Sequence, residues 1–407
     1  MASAIAYAWF ASVAKQSNTV PLIQTPRPDL ALRAENLYAL SVSGFGDALN
    51  NPEKLDILCV DDLPESSPFP SHNFALVDHN RLESRFAKGN PNATVVSVID
   101  HHEDEGLYKD TANPRIIKVP TGSCASLVAD LIHTQSPTEI ALIPELATLL
   151  ICSIVIDTGG LKPKGKAEDS DRQAMAYLLP HSTFVPLPLP VPDIGPGTDF
   201  NTIPVLKDLT KKLKTKKDDV SHLGTRDLLR RDYKESTLIP IWAKDSQIQV
   251  GLASIPISFD SWIPKDKDFY SAVEGWVKER QLAALVILTS FDEKKPKKKS
   301  NKLFKKKGDK TLKGDDKKPK DDDHRRQLLV VVADNKDLAS NLFPGLEKSP
   351  LGLQELSFEG FGAKKATGDF GWVLQGKVYK QGDATATRKV VAPIVEKIVQ
   401  GPSNANL

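Results

Sequence analysis

The sequence predicts a mixed α/β protein with two domains, and three observations support this. The chain has 407 residues, which is more than one ordinary domain. Short, continuously apolar segments alternate with amphipathic segments of helical period, the pattern of a parallel sheet covered by helices on both faces. The alternation pauses at a Pro- and Gly-rich stretch and begins again near Ser236. We therefore expect an N-terminal parallel-sheet domain followed by a smaller C-terminal α/β domain.

In the N-terminal half, apolar runs predict strands, and apolar residues spaced three and four apart predict helices. The expected strands are residues 20–24, 55–60, 74–78, 95–99 and, more exposed, 114–120. The expected helices are residues 1–15, a second that starts at residue 29, and residues 122–133 and 168–179. Residues 145–156 are either a further helix or a buried passage from helix to strand.

In the C-terminal half, the same reasoning predicts a second, shorter set of elements. Residues 205–231 are helical and heavily charged. The apolar runs predict strands over residues 248–257, 282–289 and 328–333, and the helical period predicts helices over residues 269–280 and 389–399.

These elements divide the chain into segments. We expect a first domain over residues 1–180, a Pro-rich linker or long surface loop over residues 181–204, and a second domain over residues 205–402. Residues 292–326 are almost all Lys, Asp, Gly and Pro, so they cannot bury enough apolar surface to become ordered. We expect a disordered insertion there. Its lysines could attract nucleic acid, acidic proteins or a polyanionic substrate, but a solvated loop without a specific partner is the simpler interpretation.

The composition indicates a soluble globular protein, with 40% hydrophobic and 26% charged residues. No stretch is long and apolar enough to cross a bilayer. Residues 1–15 lack the basic start of a signal peptide and are typical of a small-residue helix packed on a sheet. The three cysteines lie among apolar or small residues, which favours buried thiols in a reducing compartment. We therefore expect a cytoplasmic protein.

Polar side chains follow the predicted strands at the points where those strands end. Asp78 follows one strand, Asp100-His101-His102 follows the next, and Asp157 follows a third buried run. The carboxyl ends of parallel strands share one edge of a sheet, where ligands usually bind, so we expect these groups to converge. Carboxylates with an imidazole suit Mn²⁺, Mg²⁺ or Co²⁺. Each aspartate alone could equally cap a helix or turn.

The resemblance of the chain to a known family depends on several ordered motifs. They are Val77-Asp78-His79-Asn80, Ile99-Asp100-His101-His102, Thr121-Gly122-Ser123 and Ile156-Asp157-Thr158, then Arg231-Asp232-Tyr233-Lys234 and Thr387-Arg388-Lys389. With these motifs the chain resembles the DHH phosphoesterases. It is most similar to the fungal cytosolic exopolyphosphatases, with the manganese-dependent family II inorganic pyrophosphatases as relatives. The resemblance implies a DHH domain, a DHH-associated second domain and an active site in the cleft between them.

The resemblance implies a two-metal site, with manganese or alternatively Mg²⁺ or Co²⁺. Asp78 would bridge the two ions, and His101 and Asp157 would complete the protein ligands of one of them. His102 would contact the substrate phosphate. Asp78, His101 and His102 are thus the expected catalytic residues.

The resemblance also implies phosphate-binding residues in the second domain, namely Lys234, Arg388 and Lys389. Their chemistry agrees, because a guanidinium binds phosphate through paired donors and an ammonium adds point charge. The simpler alternatives are an ion pair of Lys234 with Asp232 or Glu235, and a solvated helix start for Arg388 and Lys389.

These features together predict a phosphoric anhydride hydrolase. We expect an exopolyphosphatase that removes terminal orthophosphate from inorganic polyphosphate by attack of a metal-bound hydroxide. The alternatives are a manganese-dependent inorganic pyrophosphatase and a catalytically impaired binding protein that retains the fold. We expect no membrane partner and no specific nucleic acid, because no nucleic-acid module or aromatic platform lies beside the basic residues. A monomer is favoured.

One motif of the family is not found in this sequence. The resemblance implies an Asp-x-Asp-Ser cluster, preceded by His or Asn, on a strand just before a small-residue helix. Residues 1–8 match that helix, so we expect the strand and its aspartates to lie upstream of Met1. Without those carboxylates the two ions lack hard anionic ligands, and without that strand a sheet edge is exposed.

We therefore expect the chain as written to be weakly active or inactive, and a form extended upstream to be active. Manganese-dependent phosphate release by the two forms tests this. Equal turnover would show that the first motif lies elsewhere in the chain.

Overall fold

The computed structural model describes residues 1–63, 69–137, 140–184, 198–292, 324–357, 366–367 and 373–401. The chain folds as two compact units, Met1–Asp219 and Val220–Leu407. Of the predicted linker and insertion, residues 185–197 and 293–323 lie outside the described residues.

The first unit contains the following elements. They are α1 (Ala2–Ala14), β1 (Leu22–Ile23), α2 (Ala34–Val42), β2 (Leu58–Cys59), β3 (Asn73–Val77), α3 (Ser84–Ala87), β4 (Thr94–Asp100), β5 (Arg115–Ile117), α4 (Cys124–Gln135), α5 (Pro144–Asp157), α6 (Asp169–Leu178) and α7 (Pro204–Asp218). Short 3₁₀ turns cover Arg27–Leu32, Pro52–Lys54, Val60–Asp62, Leu179–His181 and Phe200–Thr202.

The first unit contains two small parallel sheets. Strands β3, β4 and β5 pair in that order, with Val77 opposite Ile99 and Ile99 opposite Ile116. Strands β1 and β2 form a separate parallel pair. Because β3 and β4 run in the same direction, their carboxyl ends lie at one edge, as the sequence predicted.

The core of the first unit is a layer of helices on these sheets. The small residues of α1 allow it to lie close to α4 and α5, and its Ala6 and Phe10 are buried against this core. Helix α5 is apolar on nearly every side and supplies Leu150, Ile151 and Val155, none of which is exposed. This packing places the start of α4 beside the end of α5 and beside the carboxyl end of β4.

Of the two alternatives predicted for residues 145–156 the structure shows the helix, so Asp157 does not follow a strand. It is the last residue of the 14-residue helix α5, which begins with Pro144 in its first turn. A helix buried all round has the same continuous apolar pattern as a buried strand, and this is why its period was ambiguous in the sequence.

The predicted domain boundary at residue 204 also differs from the observed division. Helix α7 packs against α2 and α5 of the first unit, and its apolar stripe of Leu206, Leu209 and Leu213 is buried there. The predicted helix over residues 205–231 is in fact two helices. The second of them follows Gly224 and belongs to the second unit.

The second unit contains these elements. They are α8 (Thr225–Arg231), β6 (Tyr233–Leu238), β7 (Ile248–Ile255), α9 (Phe259–Trp262), α10 (Phe269–Glu279), β8 (Leu282–Thr289), β9 (Phe291–Asp292), β10 (His324–Ala333), α11 (Lys336–Glu347), β11 (Gln354–Leu356), β12 (Ala366–Thr367), β13 (Val373–Gln381) and α12 (Arg388–Gln400).

A mixed sheet forms the centre of the second unit, with the order β11-β13-β10-β8-β7-β6. Only β7 and β8 pair in parallel along this path. Alternate residues of β10 face opposite helical layers: Val330 lies in one core with α11 and α12, and Val331 lies in the other with α9 and α10. Both faces are covered, which explains why β8 is continuously apolar over residues 282–288 and β10 over residues 328–333.

None of the described helices is long and apolar enough to span a membrane. The cysteines Cys59, Cys124 and Cys152 are all free and buried, as the sequence predicted. Burial raises the pKa of the Cys152 thiol to about 12 and also raises the pKa values of Cys59 and Cys124.

These thiols should react very slowly with a water-soluble thiol reagent in the native protein, because the reagent needs an accessible thiolate. Titration in denaturant should reveal all three cysteines. Rapid labelling of any of them under native conditions would contradict the burial described above.

Candidate metal centre

Asp78 is placed directly after β3 by an unusual backbone conformation. Its φ angle is +69°, in the left-handed region, which aspartate tolerates better than most residues. Its backbone N–H donates to the carbonyl oxygen of Ile99 at 3.0 Å, so the end of β3 is joined to β4. The side chain is 59% exposed and therefore available to a ligand.

His101 directly follows β4, and its imidazole is oriented by two contacts. Its Nδ1 lies 2.9 Å from the carbonyl oxygen of Thr121. A carbonyl only accepts hydrogen bonds, so Nδ1 carries the proton in this contact. The other nitrogen, Nε2, lies 3.1 Å from Oδ1 of Asp78.

The contact between Asp78 and His101 shifts both pKa values toward the charged forms. Desolvation raises the pKa of Asp78, but the hydrogen bond and charge of His101 lower it by more, so it lies below its usual range. The hydrogen bond to Asp78 raises the pKa of His101 above its ordinary value of 6.5, and desolvation opposes this only in part. When His101 is protonated, the proton on Nε2 lies between the imidazole and the carboxylate of Asp78.

His102 is held by a second carboxylate, Asp100. His102 Nδ1 lies 2.8 Å from Oδ1 of Asp100, which is fully buried, and Asn80 donates its side-chain amide to Oδ2 of Asp100 at 2.6 Å. Burial raises the pKa of Asp100, but the hydrogen bonds from His102 and Asn80 lower it below its usual range. An ionised Asp100 can only accept, so Nδ1 of His102 carries the proton and Nε2 is left for another partner.

The side chains of Asp78, His101 and His102 place three possible metal ligands close together. One ligand atom from each lies within 4.8 Å of the others, and they form the one such group among the described residues. Two donors at right angles about 2.1 Å from an ion are about 3 Å apart, which is close to the 3.1 Å between His101 and Asp78. A divalent cation could therefore take the place of the proton on His101 Nε2, with imidazole and carboxylate as its ligands.

Asp157 lies outside this group of three but interacts with it electrostatically. Asp157 is exposed, but neighbouring protein atoms displace part of the water around its carboxylate. The resulting desolvation raises the pKa of Asp157, and the negative charge of Asp78 adds to the rise. Ser123 donates its hydroxyl to Oδ2 of Asp157 at 2.7 Å and partly opposes the shift. A bound cation would remove the cost of holding two carboxylates near each other.

The residues expected to bind phosphate all lie in the second unit. Arg388 begins α12 and donates to Asp232 through both terminal nitrogens, at 2.8 Å to its carbonyl oxygen and 2.8 Å to its carboxylate. Lys234 on β6 and Lys389 are exposed. Lys234 forms no side-chain hydrogen bond or ion pair within the described residues, so the alternative of its pairing with Asp232 or Glu235 is not observed.

Sequence reasoning missed the residues that support these ligands. Asn80 was part of a quoted motif, but its bond to Asp100 depends on a contact between two strand ends. Asp171 was not singled out, although it is fully buried and bonded to the turn before α4. Its position three residues after Glu168, at the start of a helix, is a capping-box signal that could have drawn attention to it.

Mn²⁺ binding should strengthen as the pH rises, because the ion must displace the proton on His101 Nε2. The raised pKa of His101 keeps that proton bound to a higher pH than on an isolated histidine. We expect calorimetry in buffers of different ionisation enthalpy to show about one proton released per ion near pH 6.5 and fewer near pH 8.5. An affinity that does not change over this range would contradict the assignment.

Comparisons with known proteins agree with this arrangement of domains. The DHH family N-terminal domain matches residues 1–154, and the DHHA2 domain matches residues 211–398. A solved structure titled "Methanococcus jannaschii putative family II inorganic pyrophosphatase" has a TM-score of 0.52 and 17% identity, covering 98% of this chain and 96% of that one. At this identity the likeness shows the fold.

Curated relatives extend the similarity at the level of sequence. A Schizosaccharomyces pombe protein named "Putative exopolyphosphatase" is 31% identical over 262 residues, which are 61% of this chain and 57% of that protein. Exopolyphosphatase PRUNE1 of Mus musculus is 25% identical over 295 residues, 72% of this chain and 57% of that protein. The matches span little more than half of these relatives. The chain contains a DHH family N-terminal domain over residues 1–154 and a DHHA2 domain over residues 211–398.

Proposed function

We propose that the protein is a metal-dependent exopolyphosphatase that releases terminal orthophosphate from inorganic polyphosphate. The observation that carries the proposal is the group formed by Asp78, His101 and His102 at the carboxyl edge of β3 and β4. The names of its curated relatives, from Schizosaccharomyces pombe to mammals, support the substrate class.

Asp78, His101 and Asp157 would hold the metal, with Asp78 shared between two ions. Bound Mn²⁺, Mg²⁺ or Co²⁺ would supply an activated water and neutralise charge on the phosphoryl oxygens. The chain itself keeps His101 in the correct tautomer through Thr121. It also keeps the Asp78 carboxylate ionised, because the hydrogen bond and charge of His101 help to hold its pKa below the usual range.

His102 would contact the phosphate. Because Asp100 holds its Nδ1, its Nε2 has a fixed direction and, when protonated, can donate to a phosphoryl oxygen. Asp100 is fully buried and accepts a hydrogen bond from Asn80, and these contacts hold the carboxylate that orients the imidazole of His102.

Lys234, Arg388 and Lys389 would bind phosphates of the polyanion. Two of the five N–H groups of Arg388 are used by Asp232, which fixes the guanidinium plane and leaves three donors for substrate. The exposed ammonium of Lys234 would add charge without demanding one geometry.

We further propose a cytoplasmic, monomeric protein. Its three cysteines are free and buried, as in proteins of a reducing compartment. An inorganic pyrophosphatase on the same scaffold is the second candidate, because the chain shares its fold with the Methanococcus jannaschii protein named as a family II inorganic pyrophosphatase. A binding protein without catalytic activity would retain the fold but not bind metal.

Phosphate release from long polyphosphate and from pyrophosphate, with and without Mn²⁺, tests the proposal. We expect Mn²⁺-dependent release from polyphosphate in preference to pyrophosphate, weak in the chain as written and stronger in the form extended upstream. His101→Ala should lower both Mn²⁺ affinity and turnover by more than about 100-fold, which is more than the loss of a supporting residue. The matched control is His133→Ala on α4, whose imidazole packs on Tyr177, and it should leave both unchanged.

Each result has a distinct meaning. Preference for pyrophosphate would favour the second candidate. Absence of Mn²⁺ binding by the wild-type chain would overturn the metal centre itself.

A further inference from the structure

A fully buried carboxylate, Asp171, lies in the first turn of α6. Each of its oxygens accepts two hydrogen bonds. Oδ2 accepts from the backbone N–H groups of Gly122 and Glu168, both at 2.8 Å. Oδ1 accepts from the backbone N–H of Ser123 at 3.1 Å and from the hydroxyl of Ser126 at 2.6 Å. The carboxylate is therefore saturated by fixed donors and is available to no ligand.

The turn of residues 121–123 lies so close to Asp171 that moving it away would break hydrogen bonds and moving it closer would cause a steric clash. A Cβ atom on Gly122 would lie 2.5 Å from Oδ2 of Asp171 and 2.7 Å from the Thr158 side chain, so glycine is required for this close approach. The backbone N–H groups before α4 and at the start of α6 both point at Asp171. A negative charge is favoured at both helix N-termini.

The same turn touches two candidate metal ligands on its other side. The Thr121 carbonyl receives Nδ1 of His101 at 2.9 Å. The Ser123 hydroxyl donates to Oδ2 of Asp157 at 2.7 Å. Residues on either side of Gly122 therefore orient one imidazole and one carboxylate.

We propose that Asp171 is a positioning residue of the metal centre, acting through the turn of residues 121–123. It fixes the Thr121 carbonyl, which sets the tautomer and ring plane of His101, and the Ser123 hydroxyl, which sets the carboxylate plane of Asp157. The inference rests on the proposed metal centre but assigns a role to a residue that contacts neither metal nor substrate.

Asp171→Asn tests this role, because it keeps the shape but replaces one acceptor with a donor that faces N–H or O–H groups. We expect Mn²⁺ affinity, measured by electron paramagnetic resonance, to fall about 10- to 100-fold. We also expect the visible absorption of the Co²⁺-loaded protein to change in intensity and position. The matched control is Asp169→Asn, an exposed residue in the same turn of α6, which should leave both readouts at the wild-type values.

A merely structural role predicts a different result for Asp171→Asn. The melting temperature would fall, but the Co²⁺ spectrum and the Mn²⁺ affinity well below that temperature would match the wild type, and this would overturn the proposal. Should Asp171→Asn not fold, Ser123→Ala tests the transmission step, because it keeps the backbone bond to Asp171 and removes the hydroxyl that donates to Asp157. The same change removes the weaker bond that this hydroxyl accepts from the Ala125 N–H at the start of α4, at 3.3 Å. An unchanged Co²⁺ spectrum in Ser123→Ala would then overturn the proposal, whereas an altered one would support it.

The outcome is separable from that of the proposed function. Wild-type protein that binds neither Mn²⁺ nor Co²⁺ contradicts the metal centre. Wild-type protein that binds both, beside an Asp171→Asn variant with the same affinity and spectrum, contradicts the positioning role alone.

Discussion

The contact between the Asp78 carboxylate and the His101 imidazole is the interaction on which the candidate site depends. It exists because β3 and β4 are parallel and end at one edge, where the N–H of Asp78 is bonded to Ile99. The contact holds a proton in a place that suits a cation, at a separation of 3.1 Å. The surrounding groups act mainly to keep this pair in place: Thr121 orients the imidazole, and Asp100 with Asn80 fixes the neighbouring His102.

The parts of the fold that the sequence predicted are those with an unambiguous period. Strands β4 and β8 are covered on both faces, so they are continuously apolar and were assigned with nearly correct bounds. The turn into Asp100, His101 and His102 was also predicted, because an apolar run that ends in three polar groups indicates a strand end. The resemblance to the DHH domain and its associated second domain followed from such motifs and is confirmed by both domain matches.

The remaining features depend on contacts between distant residues. Asp157 was assigned to a strand-like run because a helix buried all round, such as α5, has no polar face to reveal its period. Helix α7 was assigned to the second unit, but it belongs to the first. Its charged residues do not indicate which core its apolar residues, such as Leu209, pack against. Asp171 joins α6 to a turn 48 and 49 residues earlier, and no local pattern encodes that bond. The structure brings Asp78, His101 and His102 together, but their roles stay predictions, as do those of Asp157, Lys234, Arg388 and Lys389.

The most direct test of this account is anomalous diffraction at the manganese edge from crystals of the protein soaked in Mn²⁺. The account predicts a peak within about 2.5 Å of both an Asp78 oxygen and Nε2 of His101, with the hydrogen bond between them replaced by the ion. A manganese peak elsewhere, with Nε2 of His101 still bonded to Asp78, would contradict it.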